Sequence, residues 1–133
     1  MSDASKGAAG KRTTGHGVNV LICDCDGVLI DSEAGAADVI VRELDARWPG
    51  VDARPAVMPL LGLRIERVLA GASDAVGRTL SAGDVDAIRC AVEAAAVNAP
   101  MVEGIDAALA AIDLTTACAS NSYRTYVEAA LAR

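Results

Sequence analysis

The sequence predicts an α/β fold in which a partial parallel sheet carries a block of α-helices inserted after its first strand. Two short apolar runs, one beginning at Val18 and one covering residues 114–119, each end at a polar cluster, which is typical of strands buried in a parallel sheet. Between them, from Ala34 to Asn98, apolar residues recur at helical spacing and no convincing strand occurs. We expect one domain, because 133 residues are short for two.

The composition excludes several classes of function. The formal net charge of −6 argues against a nucleic-acid partner held by phosphate contacts. No apolar run reaches the length of a membrane span and the N-terminus lacks the apolar core of a signal sequence, so we expect a cytoplasmic protein with no membrane partner. Apolar residues make up 53% of the chain but aromatic residues only 2%, which predicts a core of small aliphatic side chains.

The four cysteines show no C-x-x-C spacing and no dense disulfide framework. Cys23 and Cys25 could share a face and contribute to a zinc site, but the only histidine, His16, lies in a glycine-flanked segment near the N-terminus. We therefore expect buried, reduced thiols.

The first apolar run delivers two carboxylates, Asp24 and Asp26, into a turn marked by Gly27. Ligands of parallel sheets bind beyond the carboxyl ends of the strands, and glycine lets the backbone turn sharply and approach a ligand closely. Burying two unpaired carboxylates so close together would cost several kcal/mol, so a cation should lie between them. Mg²⁺ is the favoured ion, since it prefers oxygen ligands and commonly takes one or two carboxylates plus a substrate phosphate.

The string Asp24-Cys25-Asp26-Gly27-Val28-Leu29, extended by Asp31-Ser32-Glu33, resembles the first motif of the haloacid dehalogenase-like (HAD) hydrolases. The resemblance is to the phosphatase and β-phosphoglucomutase branch, which has a Rossmann-like core and a helical cap. It implies that Asp24 is the nucleophile that becomes an aspartyl-phosphate, and that Asp26 is the general acid and base. It also implies that Mg²⁺ is bound by a side-chain oxygen of Asp24 and the backbone carbonyl of Asp26.

The D-x-D spacing alone is a weak signal, because it also occurs in metal-dependent glycosyltransferases and in solvated acidic turns. Together with the preceding strand and the acidic residues that follow, it favours phosphoryl transfer. That reaction needs an in-line nucleophile, a proton donor and neutralisation of phosphate charge. The two carboxylates must then differ in protonation, which their surroundings can arrange.

Outside this motif, the chain opens with residues 1–17, which are rich in Ser, Gly, Lys, Arg and Thr and predict a disordered tail. A helix is predicted from Ala34 to Trp48, with Ser32 suited to its start and Pro49-Gly50 ending it. Its apolar face consists of Ala37, Ile40, Val41, Leu44 and Trp48, and we interpret the tryptophan as a packing residue.

The next segment contains Pro55 and Pro59, which break any long element, and a short helix over residues 62–69 follows. In the resembling family a comparable segment of the cap faces the active site. That makes Arg64 and Arg67 candidates for contact with the non-reacting end of the substrate. Solvent-exposed arginines on an amphipathic helix are the alternative interpretation.

The helical insert ends with a further helix, whose start has the S-x-x-acid form of Ser81-Ala82-Gly83-Asp84, and Pro100 closes the insert. We assign residues 32–103 to a helical cap, which can close over a phosphate site and exclude water. Residues 18–31 and 104–133 are assigned to the partial HAD-like core.

The second part of this core should contain a helix over residues 104–112, a strand over 114–119 and a helix over 123–133. Ser120 and Asn121 follow the strand, and Ala119-Ser120-Asn121-Ser122 is similar to the second motif of the family, where a Ser or Thr binds the transferring phosphoryl group. Ser120 is the matching position, and Asn121 is expected to help bind the phosphoryl group. Gly27, in the turn after the first strand, completes the predicted phosphate-binding set. Taken alone, Ser-Asn-Ser is more often a helix cap.

Two further motifs of the family do not occur before the sequence ends at Arg133: a lysine that neutralises the phosphate, and an acidic pair that completes Mg²⁺ coordination. Lys6 and Lys11 are the only lysines in the sequence. The resemblance therefore covers only the amino-terminal part of a typical member, and we expect a truncated chain whose activity is impaired.

The functional prediction is an Mg²⁺-dependent phosphatase of a small phosphorylated metabolite, with a sugar phosphate as one candidate. A phosphomutase of the same family is one alternative, since it would use the same two aspartates. A non-catalytic fragment that binds phosphate or a partner is the other. Exposed strand faces at Val18, Leu21 and Leu114 should also favour self-association.

Overall fold

The structure of the chain is a computed structural model, and it describes residue 17 and residues 20–132. The predicted disordered tail, except for Gly17, and Val18 therefore lie outside the described residues. The elements in chain order are β1 (Val20–Cys23), α1 (Glu33–Arg47), α2 (Arg54–Val57), a 3-10 helix (Met58–Leu60), α3 (Ile65–Val76), α4 (Ala82–Ala96), α5 (Ile105–Ala110), β2 (Thr115–Cys118) and α6 (Arg124–Leu131).

The two strands form a parallel pair whose register places Val20 opposite Thr115 and Cys23 opposite Cys118. The N–H of Ala119 donates to the carbonyl oxygen of Cys23 over 2.9 Å, so the pairing continues to the ends of both strands. Their carboxyl ends therefore lie side by side, and the loops that follow share one edge of the sheet. The predicted α/β fold with a parallel sheet is confirmed.

Both strands are more exposed than the sequence suggests. Ile22 is 65% exposed and Val20 46%, and every residue of β2 is exposed. The prediction of strands buried on both faces is wrong for this chain. The reason is that the described helices pack on one another and on the turn after β1, and not across the strands.

The turn after β1 is compact and buried at its base. The carbonyl oxygen of Cys25 accepts from the N–H groups of Leu29 at 2.8 Å and Ile30 at 3.1 Å. Gly27 has a φ of +70°, a left-handed conformation that favours glycine, and its N–H donates to the carbonyl oxygen of Ile30 over 2.8 Å. Because Cys25 and Ile30 are fully buried, the turn is anchored to the interior and presents Asp24 and Asp26 from a fixed base.

The helices α1 to α4 surround one apolar core, here called the helical cluster. The predicted apolar face of α1 and its following residue, Trp48, are buried as expected. The indole Nε1 of Trp48 donates to the carbonyl oxygen of Thr79 over 3.4 Å, which supports its interpretation as a packing residue. The helical cluster consists of Ile40, Val41, Leu44, Trp48, Ala53, Val57, Val68, Leu69, Ala72 and Ile88.

The two prolines start short helices, which the sequence analysis did not predict. Pro55 lies in the first turn of α2 and Pro59 in the first turn of the 3-10 helix. A residue in the first turn has no intrahelical partner for its N–H, so proline fits there without losing a hydrogen bond.

The limits of the longer helices differ from prediction by a few residues, except for α3. This helix extends well beyond the predicted residue 69 and ends at Gly77, whose φ of +64° is typical of a left-handed helix cap. At the start of α4 the predicted capping box is present: the N–H of Asp84 donates to Ser81 Oγ at 3.1 Å, and the N–H of Ser81 donates to Asp84 Oδ2 at 3.0 Å. None of the described helices combines the length and apolar character of a membrane span.

A second, smaller apolar group lies where the helices meet the sheet region, and we call it the junction cluster. It joins the turn after β1 to the end of α4 and to one face of α6. Its buried members are Cys25, Ile30, Ala96, Tyr126 and Ala130. This cluster holds α6 against the loop that carries the two aspartates.

Candidate active site

A cleft of about 180 Å³ lies between the carboxyl ends of the two strands and the helical block. Asp24 and Asp26 line it from the turn after β1, and Ser120 and Asn121 from the loop after β2. Arg64, at the start of α3, lines it from the opposite side. Because the strands are parallel and in register, residues almost a hundred positions apart meet at one edge of the sheet.

The carboxylate of Asp26 is held by three hydroxyl groups. Ser32 Oγ and the phenol of Tyr126 donate to Oδ1, and Ser122 Oγ donates to Oδ2 over 3.0 Å. Ser32 occupies the N-cap position of α1, as the sequence suggested, but its side chain makes no capping bond. Its hydroxyl is used for Asp26 instead, so the start of α1 is tied to the site.

Asp24 has a different environment from Asp26. Its side chain is exposed, and Oδ1 accepts a hydrogen bond from the N–H of Cys25 over 2.7 Å. Asp26 is half-buried among hydroxyl donors. The two carboxylates therefore differ in exposure and in bonding, which is a condition for giving them different chemical roles.

The groups around Asp26 are neutral. Burial, followed by the hydrogen bond to Asp26, raises the pKa of Tyr126 well above its ordinary value, so the phenol stays protonated and acts as the donor. Burial, followed by the charge of Asp26, raises the pKa of the Cys25 thiol to about 12. A neutral thiol is a poor metal ligand.

All four cysteines are free. Cys25 is buried, as expected for the thiols, but Cys90 and Cys118 are exposed and Cys23 is half-buried. The prediction of buried thiols is therefore correct for one cysteine. The other three are more accessible because no described helix packs across β1 and β2, which carry Cys23 and Cys118, and because Cys90 lies on an outer face of α4.

The loop after β2 does not cap the following helix with a side chain. Ser120 Oγ accepts from the N–H of Ser122 over 3.0 Å, and the N-cap position of α6 is Tyr123, which makes no capping bond. The interpretation of Ser120-Asn121-Ser122 as a helix cap is therefore wrong for this structure. Asn121 is exposed at the cleft.

A cluster of charged and aromatic side chains closes one side of the cleft. The guanidinium carbons of Arg64 and Arg89 lie 5.3 Å and 5.2 Å from the ring centroid of Tyr123. The phenol of Tyr123 donates to Glu66 Oε1, and Arg89 Nη1 pairs with Glu93 Oε1 over 2.7 Å. These contacts connect α3 and α4 to the start of α6.

Two predicted site residues lie elsewhere. Arg67 is exposed on α3 and does not line the cleft. Gly27 forms the turn, and its N–H is engaged by the carbonyl of Ile30, so its predicted phosphate contact stays a prediction. Ser122 belongs to the string quoted for the second motif but was given no role there. Further polar residues of the cleft were missed, namely Glu66, Arg89, Glu93, Tyr123 and Tyr126. No local sequence pattern indicates them, because each reaches the site through tertiary packing.

The oxygen donors of the cleft suit a hard cation such as Mg²⁺ in kind. Among the described residues, no group of three or more His, Cys, Asp and Glu side chains could hold a metal ion. Asp24 offers an exposed carboxylate, whereas the carboxylate of Asp26 is taken by three hydroxyls. The exposed Asp24 carboxylate is thus compatible with the ligand role that the resemblance implies, and the Mg²⁺ ligand set of Asp24 and Asp26 stays a prediction.

No protein-family model and no curated protein matches the sequence. Solved structures that are similar to it include two haloacid dehalogenase-like proteins. One is a conserved haloacid dehalogenase-like protein of unknown function from Agrobacterium tumefaciens, with 25% identity, a TM-score of 0.68 and coverage of 87% of this chain and 53% of that one. The other is a HAD family hydrolase from Deinococcus radiodurans with bound phosphate and sodium, with 29% identity, a TM-score of 0.59 and coverage of 86% and 51%.

These likenesses, with the acidic turn and the parallel strand pair, define a HAD-type α/β hydrolase fold. The chain belongs to the haloacid dehalogenase-like superfamily. It spans about half the length of the two solved structures that it matches.

Proposed function

We propose that the cleft is the site of an Mg²⁺-dependent phosphatase that acts on a small phosphorylated metabolite, with a sugar phosphate as one candidate. The observation that carries the proposal is the meeting of Asp24 and Asp26 with Ser120 and Asn121 at the ends of two paired strands. Acids from one strand and a hydroxyl and an amide from the other are the groups that phosphoryl transfer requires. The bound phosphate of the Deinococcus hydrolase supports an anion site in this fold.

In this proposal a carboxylate oxygen of Asp24 attacks phosphorus while the ester bond to the leaving oxygen breaks. Asp26 enters this step as the carboxylic acid and transfers its proton to the leaving oxygen. Water then attacks phosphorus of the aspartyl-phosphate while Asp26, now a carboxylate, takes a proton from that water. The bond from phosphorus to Asp24 breaks, which releases inorganic phosphate and regenerates the Asp24 carboxylate. Ser120 and Asn121 bind phosphoryl oxygens during both steps. Mg²⁺, when bound at Asp24 and the Asp26 carbonyl, supplies positive charge against the phosphate.

The helical block, residues 32–103, acts as the cap in this proposal. Arg64 lines the cleft and contacts the non-reacting end of the substrate. Arg67 contributes only if the block moves, since it lies outside the cleft here. Between residues 18 and 133 there is no lysine that could take the role of the family lysine.

The test measures release of inorganic phosphate from a panel of phosphomonoesters with and without Mg²⁺. We expect Mg²⁺-dependent release that Asp24→Asn abolishes, because the amide cannot form the phosphorylated intermediate. Asp113→Asn is the matched control: this exposed aspartate precedes β2, at the opposite end of the strand from the cleft, and its loss should leave the rate unchanged. Equal rates in the wild type and Asp24→Asn would contradict the proposal.

A non-catalytic phosphate-binding role is the second candidate. It would need only the neutral groups that the loop after β2 brings to the cleft, Ser120 and Asn121. Binding of inorganic phosphate without release from any ester would support it. A phosphomutase would instead convert a hexose 1-phosphate to its isomer, which product analysis distinguishes from hydrolysis.

A further inference from the structure

Tyr126 occupies an unusual position for one of only two tyrosines in the chain. It is 6% exposed, its ring belongs to the junction cluster, and its phenol donates to Asp26 Oδ1. The two residues are 100 positions apart in sequence. A buried tyrosine needs a partner for its hydroxyl, but a carboxylate at the edge of a reactive cleft is a specific choice of partner.

Tyr126 is the most rigid of the three donors to Asp26. The hydroxyls of Ser32 and Ser122 each turn about one short side-chain bond and can change partners. The phenol of Tyr126 sits at the end of a ring packed against the buried Cys25 and Ile30, so its oxygen stays where the ring places it. The phenol of Tyr126 is therefore a fixed point for Oδ1 of Asp26, an oxygen that also accepts from Ser32 Oγ.

We infer that Tyr126 is a positioning residue, whose hydroxyl holds the Asp26 carboxylate in the orientation in which Asp26 can pass a proton to the leaving oxygen. The inference rests on the proposed function for its chemical consequence, although the contact itself does not. Tyr126 acts through Asp26, and the phosphoryl group is held by other residues. Its removal should therefore affect proton transfer selectively.

The first test compares two esters in the wild type and in Tyr126→Phe, which keeps the packed ring. Departure of an alkoxide from glycerol phosphate requires a proton, whereas p-nitrophenolate leaves without one. We expect kcat/KM for glycerol phosphate to fall about tenfold or more, and kcat/KM for p-nitrophenyl phosphate to change by less than about twofold. A merely structural defect would lower both values equally, and that result would overturn the inference.

The second test needs no turnover. A double-mutant cycle of Tyr126→Phe and Asp26→Asn compares the urea midpoints of the wild type, the two single variants and the double variant. We expect the double variant to lose clearly less than the sum of the single losses. The matched cycle of Tyr123→Phe and Asp26→Asn should be additive, because the phenol of Tyr123 donates to Glu66 and not to Asp26.

Each outcome decides the inference. Additive losses for Tyr126 and Asp26 overturn it, and so does a Tyr126→Phe variant that is unfolded in buffer, since the hydroxyl would then serve the fold as a whole. If the wild type releases phosphate from neither ester, the proposed function fails and the role of Tyr126 in proton transfer fails with it, whereas equal losses on both esters in Tyr126→Phe overturn the inference alone.

Discussion

Cys25 lies between the two aspartates of the cleft, and it is the buried one of the four cysteines. It is fully buried, and burial followed by the charge of Asp26 raises its pKa to about 12. Because the thiolate is the nucleophile, we expect Cys25 to be alkylated by iodoacetamide at about pH 8 much more slowly than the exposed Cys90. Mass spectrometry of a labelling time course measures both rates.

The control for this prediction is the same labelling in urea, where all four cysteines should react at similar rates. Native labelling of Cys25 as fast as that of Cys90 would contradict the buried position of the turn. Cys118 should be intermediate, since burial raises the pKa of its thiol although its side chain is exposed.

At the residue scale, the sequence indicates those site residues that lie next to each other along the chain. Asp24, Asp26 and Ser120 could be found because each follows an apolar run that ends in a polar cluster. Tyr126 reaches Asp26 across a separation of 100 residues, and no local pattern contains it. Ser122 stands beside Ser120 in the quoted string, but nothing in that string assigns it to Asp26, which is 96 residues away. The packing of α6 against the turn after β1 decides which face of α6 meets the Asp26 carboxylate.

At the scale of elements, Arg47 connects α1 to the start of α4. Its Nη1 contacts Glu43 Oε2 at 2.8 Å and its Nε contacts Asp84 Oδ1 at 2.9 Å. The pKa of Glu43 is lowered first by the Arg47 hydrogen bond, and the pKa of Asp84 first by Ser81 and then by Arg47. A carboxylate with a lowered pKa stabilises the fold above its ordinary pKa and loses that contribution as pH falls through the folded value.

We therefore expect the wild type to become less stable as the pH is lowered below the ordinary pKa values of these groups, which are 4.5 for Glu and 3.8 for Asp. Arg47→Met should lower the urea midpoint at about pH 6, and the difference from the wild type should shrink towards about pH 3, where the carboxylates are protonated. Circular dichroism during urea titration measures this. Arg78→Met is the control, since Arg78 is exposed and forms no ion pair with the described residues. A difference that stays constant with pH would refute the ion-pair explanation.

Helices were predicted better than strand burial, for a physical reason. A helix satisfies its own backbone, and its apolar face is visible over a few turns, as in α1. The surroundings of a strand are set by whatever packs across it, and neither β1 nor β2 encodes that in its own residues. The short helices at Pro55 and Pro59 were missed because proline was taken only as a breaker.

At the scale of the whole molecule, the open faces of the strand pair should control association. Ile22 is 65% exposed on β1, where an apolar face without a covering layer favours contact with a second surface. We expect the wild type to self-associate with rising concentration and Ile22→Lys to shift it towards monomer, as measured by sedimentation velocity. Met58→Lys, a similar change at a residue 46% exposed in the helical block, should leave association unchanged. Equal association of all three proteins would contradict this role of the sheet.

The bonding of Ser32, Ser122 and Tyr126 to one side chain has an evolutionary consequence. Selection for turnover and selection for a correctly assembled chain both act on position 26. A descendant without catalytic activity would still be under pressure to keep an acid there, because that acid ties the start of α1 and the segment from Ser122 to Tyr126 to the turn after β1. An aspartate kept at position 26 in descendants of this protein is therefore weaker evidence of activity than it would be if catalysis were the sole reason to keep it.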